Sequence, residues 1–120
     1  MGLTKVTVTI SDLTKKHRPY EDDFLVDTGA VDCLVPGSKL KKAGVKPEGK
    51  SVYELADGTP VEYEYGFARV SFMGAETVTQ VVFGPEHADP ILGVVALENT
   101  GIGIDPRTKK LLKMAAKPLK

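Results

Sequence analysis

Phe24-Leu25-Val26 delivers Asp27 into Thr28-Gly29-Ala30. Three apolar residues followed by an acid and a Thr-Gly turn is a poor pattern for a solvated surface carboxylate. Apolar surroundings disfavour the charged form and push a carboxylate's pKa up. A carboxyl displaced from its ordinary range beside a special turn is a candidate for acid/base chemistry. A plain local role is also open: Asp27 can cap the turn through an Asx-type hydrogen bond.

Other residue types that could do chemistry are sparse. Cys33 is the only cysteine, so no internal disulfide can form and a reducing compartment is expected. It reads most simply as a small buried hydrophobe, with a cysteine nucleophile far behind. His17 and His87 are too few and too far apart in sequence for a metal site, and no metal or cofactor is expected. His17 sits among Lys15, Lys16 and Arg18 and reads as a solvated loop residue. Sixteen basic and sixteen acidic residues give a formal charge of zero, which argues against nucleic acid as a partner. No stretch of about 18 apolar residues exists, and no apolar signal core opens the chain, so no membrane span is expected. Met1-Gly2 lacks the Ser or Thr at position 6 that myristoylation favours, where Val6 stands. The expectation is a soluble cytoplasmic protein whose 120 residues form one domain, 1–120.

The elements that must position Asp27 are mostly strands. Val6, Val8 and Ile10 alternate with polar residues, the period of a half-buried strand. Asp12 to Pro19 is a loop, and Tyr20 to Val26 is the strand that carries Asp27. Val31 to Val35 is a short apolar run closed by Pro36-Gly37. Ser38 to Ala43 suits one or two helical turns, with Ser38 as N-cap and Gly44 as stop. Ser51 to Tyr65 reads as a hairpin turning at Asp57-Gly58 with positive φ angles, placed at an edge by Pro60. Val61, Tyr63, Tyr65 and Phe67 share one phase, while Val70 and Phe72 take the other, which predicts a bulge between Gly66 and Arg69. Glu76 to Phe83 follows as a strand after a Met73-Gly74 turn. Ile91-Leu92-Gly93 precedes a short helix over Val94 to Asn99, stopped by Gly101. Ile102 to Ile104 and Lys109 to Lys113 flank a turn at Asp105 to Thr108, and Ala115 to Lys120 is expected as a frayed tail. The lysine-rich stretch from Lys109 reads as a strand and solvated tail rather than a membrane-surface helix.

This order resembles the retroviral-type aspartic proteases, including their small bacterial members. The likeness rests on Asp27-Thr28-Gly29-Ala30 after an apolar strand, a Gly-tipped hairpin some 30 residues on, and Ile91-Leu92-Gly93 before a short helix. It implies an all-β fold: a closed retropepsin-like β-barrel with a flap hairpin and one short helix near the C-terminus. It implies peptide hydrolysis without a cofactor. Asp27 would be the catalytic acid/base, Thr28 would bond across a dimer, and Gly29 would allow close approach of backbone and substrate. Ala30 and Asp32 would face the substrate, although Asp32 by itself reads as a solvated loop acid rather than a substrate contact. Ala56, Asp57, Gly58 and Thr59 would be the flap tip, an assignment that competes with an ordinary surface turn. Ile91, Leu92 and Gly93 would pack behind the active-site turn.

One Asp-Thr-Gly supplies half of a two-carboxylate site. A two-fold homodimer would bring Asp27 to its own copy, and the partner to be cleaved would be a peptide or protein. Retroviral enzymes often carry an acid directly after the Ala and an Arg directly after the apolar-apolar-Gly. Val31 and Val94 stand there in this chain. Exchange of an ion pair for apolar residues leaves a fold intact but can change an interface. The alternative to an endopeptidase is therefore a catalytically inactive peptide-binding or interaction module of the same fold.

Overall fold

The computed structural model describes residues 4–115. The tail expected over Ala115 to Lys120 lies beyond them from position 116 on, as do the residues of the Met1-Gly2 terminus. Nine strands and two short helices follow one another: β1 (Lys5–Ser11), β2 (Tyr20–Val26), β3 (Cys33–Pro36), α1 (Gly37–Lys42), β4 (Gly49–Glu54), β5 (Pro60–Phe72), β6 (Ala75–Gly84), β7 (Ile91–Leu92), α2 (Val94–Thr100), β8 (Ile102–Ile104) and β9 (Leu111–Lys113). The fold is mostly β, and the short helices expected over Ser38 to Ala43 and Val94 to Asn99 are present as α1 and α2.

Period-two patterning sets which faces are buried. Val8 and Ile10 of β1 and Phe24 and Val26 of β2 point into the core. On the opposite face, the Thr7 hydroxyl donates to Asp23 at 2.9 Å and that of Thr9 to Glu21 at 3.3 Å. The seven-stranded sheet runs in the order β1-β2-β7-β3-β6-β5-β4. β1 also pairs antiparallel with β5, from Thr9↔Ser71 to Ser11↔Arg69, so the pairings return to the strand they start from. β4 lies outside that circuit, and β8 and β9 form a separate two-stranded sheet. Leu40 of α1 and Ala96 and Leu97 of α2 join the same hydrophobic cluster as Val35, Val70, Val81 and Leu92.

Three local expectations are corrected. No bulge interrupts β5: its register with β6 is continuous from Tyr65↔Val82 to Phe72↔Ala75. Gly66, Ala68, Val70 and Phe72 share the core face, and Phe67 is 43% exposed on the other. The small residues hide the core phase from the sequence. Gly66 is small because a side-chain carbon there would collide with the Lys46 carbonyl and lie 3.2 Å from the Phe83 ring. Ser38 does not cap α1: the N-cap is Pro36, which makes no side-chain cap bond, and the Ser38 N–H in the first turn donates to Glu86 Oε2 at 3.3 Å. The Ser51–Tyr65 hairpin exists, but its turn spans residues 55–59, closed by Leu55 N–H to the Thr59 carbonyl at 2.9 Å. Within it Gly58 has a φ of 87°, while Asp57 is not in the left-handed region, so this is not the two-residue turn expected.

Candidate active site

Asp27 directly follows β2, whose end is anchored by β7. Leu25 pairs parallel with Ile91 and Val26 with Leu92, and the Asp27 N–H donates to the Leu92 carbonyl at 3.1 Å. The turn then closes on itself through the Ala30 N–H to the Asp27 carbonyl at 3.1 Å. Its far side is held by the start of α2: Val94 N–H donates to Ala30 O at 2.8 Å and Val95 N–H to Val31 O at 3.1 Å. Orphan N–H groups at a helix start thus hold the turn's carbonyls. Gly93 permits this approach, since a side-chain carbon there would sit 2.5 Å from the Asp32 carbonyl oxygen and 2.7 Å from that of Val31. Ile91, Leu92 and Gly93 therefore lie behind the turn that carries Asp27.

The Asp27 side chain is half-buried, beside exposed Thr28 and Gly29. The apolar strand before it turns Phe24 and Val26 inward but does not enclose the acid. Gly29 N–H donates to its Oδ1 at 2.9 Å, which is the Asx-type bond of the plain reading. Among the described residues Oδ2 has no partner, so one oxygen is oriented by the turn and the other is open. Such a carboxylate can accept a proton from a bound water or donate one when protonated.

A cleft of about 390 Å³ adjoins the turn, with Gly29, Ala30, Asp32, Tyr53, Leu55 and Tyr63 among its lining residues. It thus gathers Gly29, Ala30 and Asp32 of the sequence-derived candidates, together with Val31. Asp27 and Thr28 are not among the lining residues, and neither are Ala56 to Thr59, which are exposed at the far end of the hairpin. Thr59 donors hold the Asp57 carboxyl below its usual range, an arrangement internal to the tip.

Asp32 differs from the solvated acid of the plain reading. It is half-buried, Tyr53 Oη donates to its Oδ2 at 3.5 Å, and Gln80 Nε2 donates to the same oxygen at 3.3 Å. Burial raises its pKa, and the Tyr53 hydroxyl partly offsets this. Sequence reasoning missed Tyr53 and Gln80 because they lie 21 and 48 residues away. The register of β4 on β5 and β5 on β6 brings them over, and no local motif encodes that. Cys33 is 1% exposed and burial pushes its thiol up to about 11, which removes the nucleophile reading. His17 is not simply solvated, as its imidazole Nδ1 lies 3.4 Å from Asp12. Among the described residues, no group of three His, Cys, Asp or Glu side chains could hold a metal ion, and no helix is long and apolar enough to cross a membrane.

The family model for aspartyl proteases matches residues 6–96. No curated protein matches the sequence. Among solved structures, EIAV protease in complex with the inhibitor HBY-793 aligns at TM-score 0.62 and 18% identity, over 87% of this chain and 93% of that one. The retroviral protease-like domain of Ddi1 from Leishmania major aligns at TM-score 0.61 and 17% identity, over 97% and 91% of the two chains. A retropepsin-like aspartic protease from Rickettsia conorii aligns at TM-score 0.52 and 22% identity, over 92% and 90%. The matched span runs from β1 through the Asp27 turn to the first turn of α2, and on that ground the chain belongs to the aspartyl protease family, with a retropepsin-like fold.

Proposed function

We propose that this protein is an aspartic endopeptidase whose two catalytic carboxylates are Asp27 and the same residue of a second copy. The observation that carries the reading is the Asp27 turn: clamped from behind by β7 and α2, with one carboxylate oxygen fixed and the other open. Two carboxylates brought within a few ångström cannot both ionise cheaply, so they share a proton. The ionised one takes a proton from water as that water attacks the scissile carbonyl carbon. The protonated one donates to the carbonyl oxygen. Collapse of the resulting gem-diol breaks the C–N bond, and the amine leaves with a proton from the dyad.

A two-fold axis beside Asp27 would place identical residues face to face, with Thr28 bonding across it. In this reading residues 1–120 form one domain and the circuit of pairings from β1 back to β5 is a closed barrel. The β4–β5 hairpin is then the flap, with Ala56 to Thr59 as its tip. The substrate is an extended peptide or protein segment in the cleft beside Gly29 and Ala30, and no cofactor takes part. A lone buried thiol at Cys33 suits a cytoplasmic setting.

Asp27→Asn tests the reading. It is expected to abolish cleavage of a peptide library while leaving folding and dimerisation intact, and unchanged cleavage would remove the proposal. One observation favours a second reading, a peptide-binding module without turnover. Val31 stands 62% exposed beside the turn, where an ion-paired acid would anchor a retroviral-type dimer. Analytical ultracentrifugation separates the two: a protein that stays monomeric across micromolar concentrations, with and without peptide, supports the module.

A further inference from the structure

The chain carries no net charge, yet its cations are not evenly spread. Lys15 to Arg18 and Lys39 to Lys42 hold six of its sixteen basic residues and no acid. The first stretch lies in the loop before β2 and the second in α1. The fold brings them together. The His17 imidazole packs so closely on Gly44, just past α1, that a side-chain carbon there would lie 2.3 Å from Nδ1. Asp12 fixes the same loop by accepting from the Thr14 hydroxyl and the His17 N–H. Arg18 therefore stands between a clamped His17 and Pro19, whose ring fixes its own φ.

Where the two stretches meet, a cavity of about 310 Å³ opens, lined by Arg18 from the loop and by Lys39 and Lys42 from the helix. Among the described residues no carboxylate lies within ion-pair distance of these three cations. Two acids are nearby. Glu21 also lines the cavity, and it accepts from the Thr9 hydroxyl of the neighbouring strand at 3.3 Å. Ser38, then the charges of His87 and Lys39, hold the Glu86 carboxyl below its usual range, so Glu86 partly offsets Lys39. Cations gathered in one concavity without direct partners repel one another and draw in an anion.

This cavity shares no lining residue with the cleft beside Asp27. It sits at the opposite end of β2, roughly 20 Å from Asp27 along an extended strand. Its chemistry suits a polypeptide. Pro19 and Ala43 set apolar surface among the charges. Lys16 and Lys41, both exposed, carry positive charge on along the loop and the helix. Tyr20, the aromatic residue of the cavity, packs on Phe24 at 6.2 Å between ring centroids and donates its hydroxyl to Asp22 at 2.8 Å. A ring so committed is a poor platform for stacking a nucleic-acid base.

We propose that this cavity is a second binding site, which takes an acidic segment of a partner protein with its Asp or Glu side chains against Arg18, Lys39 and Lys42. The site needs no turnover and does not rest on the endopeptidase reading.

The test uses a dye-labelled Glu-rich peptide and its Gln counterpart, with binding read by anisotropy at neutral pH. At low salt the protein is expected to bind the Glu peptide roughly tenfold or more tightly than the Gln peptide. The difference should shrink as salt rises. Lys39→Gln with Lys42→Gln should bring the ratio close to one, and Arg18→Gln alone should reduce it. Lys110→Gln with Lys113→Gln removes the same charge from an exposed region elsewhere and should leave the ratio unchanged. Asp27→Asn protein should bind as wild type does. Equal binding of the two peptides overturns the proposal, as does an equal loss in the Lys110 and Lys113 variant. A single-stranded oligonucleotide that binds more tightly than the Glu peptide through the same three cations would overturn the assignment to a protein partner.

Discussion

Two strands of the sheet end in an aspartate that begins a turn, and the fold uses the two acids in opposite ways. β1 runs into Asp12 and β2 into Asp27. Asp12 is 6% exposed and its oxygens are occupied. Thr14 Oγ1 donates to Oδ2 at 2.6 Å, His17 N–H donates to Oδ1 at 3.3 Å, and the His17 imidazole lies 3.4 Å from Oδ2. Asp27 is more open and accepts from Gly29 N–H alone. The difference lies in what holds each turn. The Asp12 carboxylate ties together its own loop. The Asp27 turn is tied by backbone bonds to β7 and α2, so its carboxylate is free for other work. Saturation of acceptor capacity, more than burial or the residue type, separates the structural acid from the candidate catalytic one.

The sharpest way to break this comparison is to neutralise each acid in turn. Asp27→Asn should lower kcat/KM by about a thousandfold or more, in the range of general acid–base contributions. Its melting temperature should stay within about 2 °C of wild type, because the turn keeps its backbone bonds. Asp12→Ala should do the reverse. Melting should fall by roughly 5 °C or more as Thr14 and His17 lose their acceptor. Activity per folded molecule should hold. A large loss of stability in Asp27→Asn, read by calorimetry, would mean that its carboxylate also holds its turn.

Acid sharpens the contrast next. The Thr14 hydroxyl, aided by His17, holds the Asp12 carboxyl well below its usual range in spite of burial. The unfolded chain therefore binds the proton first. The stabilisation is fully present above the unfolded pKa of about 3.9, and it drains away as pH falls below that value toward the folded one. Urea midpoints measured from pH 7 down to pH 3 should drop more steeply in wild type than in Asp12→Ala. Parallel curves would show that Asp12 titrates as an ordinary surface acid.

Much of this was readable along the chain, and what was not shares one cause. The strand ending at Val26, the hairpin over Ser51 to Tyr65 and the Ile91-Leu92-Gly93 step before α2 all carry local signatures: alternation, a Gly-bearing turn, and an apolar pair halted by Gly. Asp27 could be singled out for the same reason. Asp12 read only as the start of a polar loop, because its saturation depends on how residues 14 and 17 fold back. Asp32 read as solvated, because Tyr53 and Gln80 reach it only through strand register. The core phase of β5 was misread at Gly66 and Ala68, where small size is demanded by close neighbours and looks in sequence like no signal at all. Where strands and turns fall is legible; which side chains a folded loop or a sheet register brings to a given carboxylate is not.

Asp32 extends the comparison to a third acid and gives the smallest expected effect. Its partners are neutral and its contacts long, so burial wins and its pKa is raised. The sign is opposite to that of Asp12. Between the unfolded value of about 3.9 and the higher folded value, the native state binds more protons, so stability falls as pH rises through that window. At neutral pH the ionised carboxylate is a standing cost to the fold. Asp32→Asn keeps the shape and removes the charge, and should raise the melting temperature at pH 7 by roughly 1–2 °C. The gain should vanish below about pH 3.5, where Asp32 is protonated in both states. Melting curves at the two pH values check both parts. A loss of stability at pH 7 would show that Tyr53 and Gln80 fully compensate the charge, which would place Asp32 beside Asp12 among the acids the fold consumes.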